Sequence, residues 1–235
     1  MQLAQMCDLT RDMDMTATFD SMRLRLHAQL TTAVDGSTVA RVYEMFICQW
    51  VGTPNKRLRL LYRSTHDGPS YGDLLRCVGS TKGLVFVVRK NQYVFGAYIS
   101  EGIKLPDAPM LYNRYECGGW QFCLAGNFDT PTKVEVPQAH VYVAGSEGAG
   151  EICGNISIEG SQGYTKFSFL CLGYSETDMR FSADMRFCCQ GIDVRELPTG
   201  YRGHVYEPDL FPCTAGFSGS HTRFLADELE VLCLV

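Results

Sequence analysis

LRLLYRSTHDGPSYGDLLRCVGSTKGLVFVVRKNQYVFGAYISEGIK, spanning Leu58–Lys104, decides the fold of this chain. Leu58–Tyr62 reads as a strand, and Arg63–Pro69 as a turn rich in Ser, His, Asp, Gly and Pro. Ser70 is placed to cap a short helix, with Asp73 at the third position in a near capping box. Tyr71, Leu74, Leu75 and Val78 recur at helical spacing, and Gly79 closes the helix. Leu84–Arg89 is almost continuously apolar, as expected of a strand covered on both faces. Lys90-Asn91-Gln92 makes a turn, and Tyr93–Ser100 returns as the partner strand. Gly96 inside that strand marks a bulge or a close backbone approach.

Outward from this run, Ser37–Val51 reads as a helix with Ser37 as N-cap. Val39, Val42, Tyr43, Phe46, Ile47 and Trp50 lie on one face, and Trp50 is read as a core anchor. Residues 1–36 form an N-terminal extension in which Phe19, Met22, Leu26 and Leu30 give a weak helical pattern, of the kind found at the end of an upstream coiled coil. Beyond Pro106 the chain is strand-rich, with strands expected over Trp120–Leu124, Lys133–Val136, His140–Ala144, Asn155–Glu159, Lys166–Cys171, Met185–Cys189 and Glu228–Leu234. No helix recurs after each strand, so a doubly wound parallel sheet is disfavoured. The fold class is α+β, predominantly β: a two-layer antiparallel β-sandwich with a few flanking helices, over residues 37–235.

Composition sets outer limits on function. The 235 residues carry 46% hydrophobic and 20% charged residues, enough for a substantial core. A formal net charge of −5 gives no support to nucleic-acid binding. No stretch reaches the roughly 18 unbroken apolar residues of a spanning helix, so membrane insertion is not expected. The opening MQLAQMCDLTRDMDM lacks a basic region followed by an apolar core. Eleven cysteines without such a leader are therefore read as reduced thiols in a cytoplasmic protein.

The motifs of the opening run resemble one family. Leu60-Leu61-Tyr62, the turn Ser64-Thr65-His66-Asp67-Gly68, the helix Ser70–Val78, and Val94-Phe95-Gly96-Ala97 followed by Ser100-Glu101 are similar, in order and spacing, to the start of the TLDc domain of oxidation-resistance proteins. Trp120–Leu124 resembles that family's Phe-rich strand, and Phe224 with Asp227–Val231 its closing strand. Gly191-Ile192-Asp193 and Glu196-Leu197 follow its later Leu- and Asp-rich segment loosely, and Phe187-Cys188-Cys189-Gln190 stands in place of a glycine run. The resemblance implies a β-sandwich and an intracellular interaction module in oxidative-stress protection. In several members it also implies binding and regulation of the vacuolar-type proton-pumping ATPase, so the expected partner is a protein, with subunits of that pump as the specific case. The family brings no agreed catalytic residues.

Four residues are the material from which a hydrolase-like site would be built: Ser100 and Glu101, set against His66 and Asp67. A nucleophile needs a base within hydrogen-bond reach, and the base needs an orienting acid. The architectural alternative is that Asp67-Gly68 shapes a turn and Glu101 makes a strand-end ion pair. A thiol-based peroxide scavenger is the other enzymatic alternative, through one exposed cysteine of low pKa. The cysteines show no C-x-x-C and no zinc-finger spacing to histidine, and Cys213 and His221 could be ligands only with partners from elsewhere, so neither a metal nor another cofactor is expected. Gly145–Gly150 is glycine-rich but leads towards a strand, and reads as a hairpin loop rather than a phosphate cradle. Glu228 and Glu230 share one face of the last strand, read as a half-solvated edge or as a docking surface for a basic partner. The partner-binding candidates are thus Ser64, Asp67, Gly68, Ser100, Glu101, Glu228 and Glu230.

Overall fold

Two antiparallel sheets face each other, each built from strands whose alternate side chains enter a shared core. A computed structural model describes residues 33–136, 138–146, 155–161, 167–173, 184–193, 197–202, 214–215 and 223–235. In chain order these hold helix α1 (Arg41–Trp50), strand β1 (Leu58–Arg63), helices α2 (Ser64–Asp67) and α3 (Tyr71–Val78), and strands β2 (Leu84–Lys90), β3 (Tyr93–Ile99), β4 (Tyr112–Glu116), β5 (Gly119–Ala125) and β6 (Thr132–Glu135). There follow β7 (Ala139–Ala144), β8 (Ile156–Ser161), β9 (Phe167–Leu172), β10 (Phe187–Asp193), β11 (Thr214–Ala215), β12 (Arg223–Leu225) and β13 (Glu228–Leu234). The first sheet has the order β1-β13-β2-β3-β5-β6, and the second β11-β10-β9-β8-β7-β4, with β12 also paired to β10. The sandwich expected from the sequence is the sandwich observed. The helical pattern of residues 1–30 lies outside the described residues.

Strand β2 shows why its apolar run is unbroken. Leu84, Phe86 and Val88 face the core between the sheets. Val85 and Val87 face a second cluster, where Val39, Ile47 and Cys48 meet Trp120, Phe122 and Leu124. Trp50 meets Trp120 edge to face, with centroids 5.6 Å apart. A polar bridge crosses the central core, Gln190 Nε2 donating to Gln121 Oε1 at 3.3 Å.

Gly96 tolerates no side chain, because a Cβ there would sit 1.8 Å from the carbonyl oxygen of Phe86 and 2.9 Å from the Phe122 ring. The expected capping box on α3 is present: Ser70 Oγ accepts from the Asp73 amide, and Asp73 returns a carboxylate to the Ser70 amide.

Three expectations need correcting. Ser37 is not the cap of α1, which begins at Arg41; its hydroxyl donates to Glu230 and accepts from the Val39 amide. The turn expected at Arg63–Pro69 contains a helical turn, α2, which ends at Gly68 with φ +102°. Most consequentially, β13 is no edge strand: it lies between β1 and β2, so Glu228 and Glu230 are 5% and 1% exposed. Alternating Glu and apolar residues suggested one wet face, but that face is covered by α2 and by residues 37–38. Strands β4, β11 and β12 were not anticipated.

Candidate functional site

The residues singled out in the sequence fall at two separate ends of the first sheet. At one end, Arg63 leaves β1 and the chain enters α2, bringing three successive donors to the start of β13. Glu228 accepts Arg63 Nε at 2.8 Å, Ser64 Oγ at 2.6 Å, and the amide and hydroxyl of Thr65 at 3.0 and 2.5 Å. Burial alone would raise the Glu228 pKa, but the Ser64, Thr65 and Arg63 donors outweigh it and hold the carboxyl below its usual value. Two residues along, Glu230 accepts the Thr38 amide at 2.7 Å and the Ser37 hydroxyl, with Arg63 Nε at 3.7 Å. Arg89 on β2 donates to the Thr38 carbonyl at 3.1 Å. This end is a charge-assisted clamp that fixes the closing strand, α2 and the segment before α1.

On its outer side, His66 is exposed, with Nδ1 at 2.8 Å from Asp67 Oδ1, while Asp67 Oδ2 accepts the Arg63 amide at 2.8 Å. Burial pushes the Asp67 carboxyl up, but the His66 and Arg63 hydrogen bonds bring it below its ordinary value. The Gly68 carbonyl accepts the Tyr62 hydroxyl at 2.9 Å.

At the other end, Ser100 follows β3. Its amide donates to the Gly118 carbonyl at 2.8 Å and its Oγ accepts the Gly118 amide at 3.0 Å. Glu101 pairs with Lys82 at 3.0 Å and Lys104 at 3.1 Å, which hold its carboxyl below the usual range.

Register shows that these ends never meet. Ile99 is opposite Leu84, whereas Glu228 is opposite Arg89. Leu84 and Arg89 stand five residues apart on β2, about 17 Å of extended chain. His66-Asp67 sits beside Glu228 and Ser100-Glu101 follows Ile99, so the four residues do not form a nucleophile–base–acid group. His66 cannot activate Ser100 across a strand's length.

Five of the described thiols are disfavoured as nucleophiles. Burial pushes Cys48 and Cys123 up to about 11, raises Cys77 and Cys117, and raises Cys188 well above its ordinary value. Among the described residues no group of three or more His, Cys, Asp or Glu side chains could hold a metal ion. Cys213, His221 and Glu196 lie outside the described residues, as does 147–150 of the glycine-rich loop. No helix among the described residues is long and apolar enough to cross a membrane.

The Glu101 end has a surface that the sequence reading missed. Leu105, Met110, Leu111 and Tyr112 are 46%, 68%, 59% and 52% exposed. Leu105, Met110 and Leu111 belong to the loop that leads from Lys104 into β4, and Tyr112 opens β4, the edge strand of the second sheet. Asn113 donates to the Lys104 carbonyl at 3.0 Å, and Tyr115 to the Gly102 carbonyl at 2.7 Å, which ties this apolar run to the Glu101 turn. The signal was legible only as an apolar triplet, Met110-Leu111-Tyr112, among turn residues. Its exposure depends on β4 being an edge.

Residues 31–151 match the model of the TLDc domain family. The matched region begins just before α1 and ends after β7; β13, which completes the first sheet between β1 and β2, lies beyond it. No curated protein matches the chain.

Proposed function

This chain belongs to the TLDc domain family, and from that premise we propose that it acts as an intracellular protein-interaction module in oxidative-stress protection, with the vacuolar-type proton-pumping ATPase as its partner. Family membership carries the reading. The geometry supports it by spending the polar residues on architecture: Ser64, Glu228 and Glu230 are buried in a clamp, and Ser100 bonds to backbone.

Of the sequence candidates, Asp67 and Gly68 keep partial exposure at one end, and Ser100 and Glu101 at the other. The second end is favoured as the contact surface. There the Glu101–Lys82–Lys104 charges border exposed Leu105, Met110, Leu111 and Tyr112, an aromatic- and Met-containing patch with a polar rim, as interfaces have.

The test is binding of the purified chain to isolated soluble and membrane subcomplexes of the pump, alongside deletion in cells. Binding to one subcomplex, with altered organelle acidification and peroxide tolerance on deletion, is the expected outcome. Absence of binding to either, with both phenotypes unchanged, sinks the proposal.

A further inference from the structure

The outer face of the second sheet carries two thiols in direct opposition. Cys171 on β9 and Cys189 on β10 are register partners in an antiparallel pair, and each is a thiol in this structure. Directly opposed residues emerge on the same face, with Cα atoms about 4.5 or 5.5 Å apart according to the kind of pair. Both spacings fall inside the roughly 4.4–6.8 Å that a disulfide spans. Cys188 points the other way, into the central core, so it is not the partner of Cys171.

The row continues on both sides. Ser157 on β8 is the register partner of Cys171, with its Oγ 3.2 Å from Cys171 Sγ and donating at 2.6 Å to Glu159 Oε1. Arg223 on β12 is the register partner of Cys189 and is exposed. With Arg223 as the strand neighbour of Cys189, and the Glu159 carboxylate linked through Ser157 to Cys171, Cys189 is the sulfur assigned the first attack. Cys189 is also the more exposed, at 8% against 3% for Cys171. Such narrow access admits a small oxidant and disfavours a bulky one such as glutathione disulfide.

We propose that Cys171 and Cys189 form an oxidisable cross-strand pair, converted by hydrogen peroxide into a disulfide that staples β9 to β10. The Cys189 thiolate attacks one peroxide oxygen, the S–O bond forms, the O–O bond breaks, and hydroxide leaves. Cys171, giving up its proton, attacks Cys189 Sγ; the S–S bond forms, the S–O bond breaks, and a second hydroxide leaves. The sum is two thiols and one hydrogen peroxide giving one disulfide and two waters, the sulfurs losing two electrons. A thiol-disulfide reductant resets the pair. The chemistry is stoichiometric and independent of the partner proposed above.

The experiment treats the reduced, folded chain with one equivalent of hydrogen peroxide, traps remaining thiols by alkylation, and maps peptides by mass spectrometry. The expected product is 2 Da lighter, with Cys171 joined to Cys189, reversed by dithiothreitol, and absent from Cys189→Ser but retained in Cys188→Ser. Fragmentation between residues 188 and 189 locates the bond. A bond at Cys188, or oxidation of Cys171 and Cys189 to separate sulfinic acids without a link, overturns the inference. So does alkylation of both thiols after peroxide has oxidised others. The wild-type peptide map decides the matter even if a variant fails to fold.

Discussion

Glu228 receives Arg63 Nε at 2.8 Å while 5% exposed, so the closing strand is locked to the first strand by a charge-assisted pair whose carboxylate is buried and whose arginine side chain is 32% exposed. The same carboxylate takes the Ser64 and Thr65 donors from α2. A half-satisfied buried network is worse than none, since each abandoned donor keeps its desolvation cost.

Glu228→Ala should therefore lower unfolding stability by about 2–3 kcal/mol, chiefly by leaving the Ser64 and Thr65 donors without their acceptor, since Arg63 can still reach water. Glu228→Gln keeps one acceptor oxygen and should cost less. Urea titrations of the variants against wild type measure both. Equal stability of Glu228→Ala and wild type would show that the clamp contributes nothing. Lysine at 228 or 230 reports on folding before it reports on any partner.

Acid should unfold the protein through these same groups. The Glu228, Asp67, Asp73, Glu101 and Asp227 carboxyls are all held below their ordinary values in the fold. A depressed folded pKa gives stability that is complete above the unfolded value, about 4 for these carboxyls, and that drains away as pH falls through the folded value. Urea midpoints should be level from about pH 7 to pH 5 with respect to these groups and fall below about pH 4. In Glu228→Gln the acid slope should be shallower. An unchanged slope in that variant would remove Glu228 from the account.

Local pattern was legible in the sequence, and long-range pairing was not. The capping box at Ser70 and Asp73 is written within four residues, and the double coverage of β2 within Leu84–Val88. The position of β13 is written nowhere locally. Ser64 and Ser37 reach Glu228 and Glu230 across 164 and 193 residues of sequence, so an acidic alternation that looks wet is dry. Glu44 is similar: its partner Arg41 is one turn away, but its bond to the Leu58 amide at 2.7 Å follows from how α1 lies on the sheet. For the candidate site, the residue types were found and their juxtaposition was not. Only strand register could show that His66 and Ser100 lie at opposite ends.

Gly96→Ala should be among the most damaging single-methyl additions in the chain. Its Cβ would meet backbone, the Phe86 carbonyl at 1.8 Å, rather than the movable end of a side chain. Strands β2 and β3 would have to separate at Val87–Gly96, in the middle of the first sheet. Overpacking of this kind costs about 1–3 kcal/mol or more, and a lower thermal midpoint by calorimetry is the measurement. A melting temperature equal to wild type would mean the strand pair yields there at no cost.

The exposed run at the Glu101 end separates binding from folding in a way the clamp cannot. Met110 and Leu111 are 68% and 59% exposed, so Met110→Asp and Leu111→Asp remove little buried contact. Stability should stay within about 0.5 kcal/mol of wild type, as for surface changes away from special features. If this patch is the centre of the contact with the pump, a charged residue placed in it should weaken binding by about 2 kcal/mol, or roughly 30-fold. Glu101→Lys should act on the rim, making association more salt-sensitive while changing affinity less. Titration by interferometry at two ionic strengths distinguishes these effects. Full binding by a folded Met110→Asp, Leu111→Asp double variant would place the contact elsewhere and turn attention to the Asp67-Gly68 end.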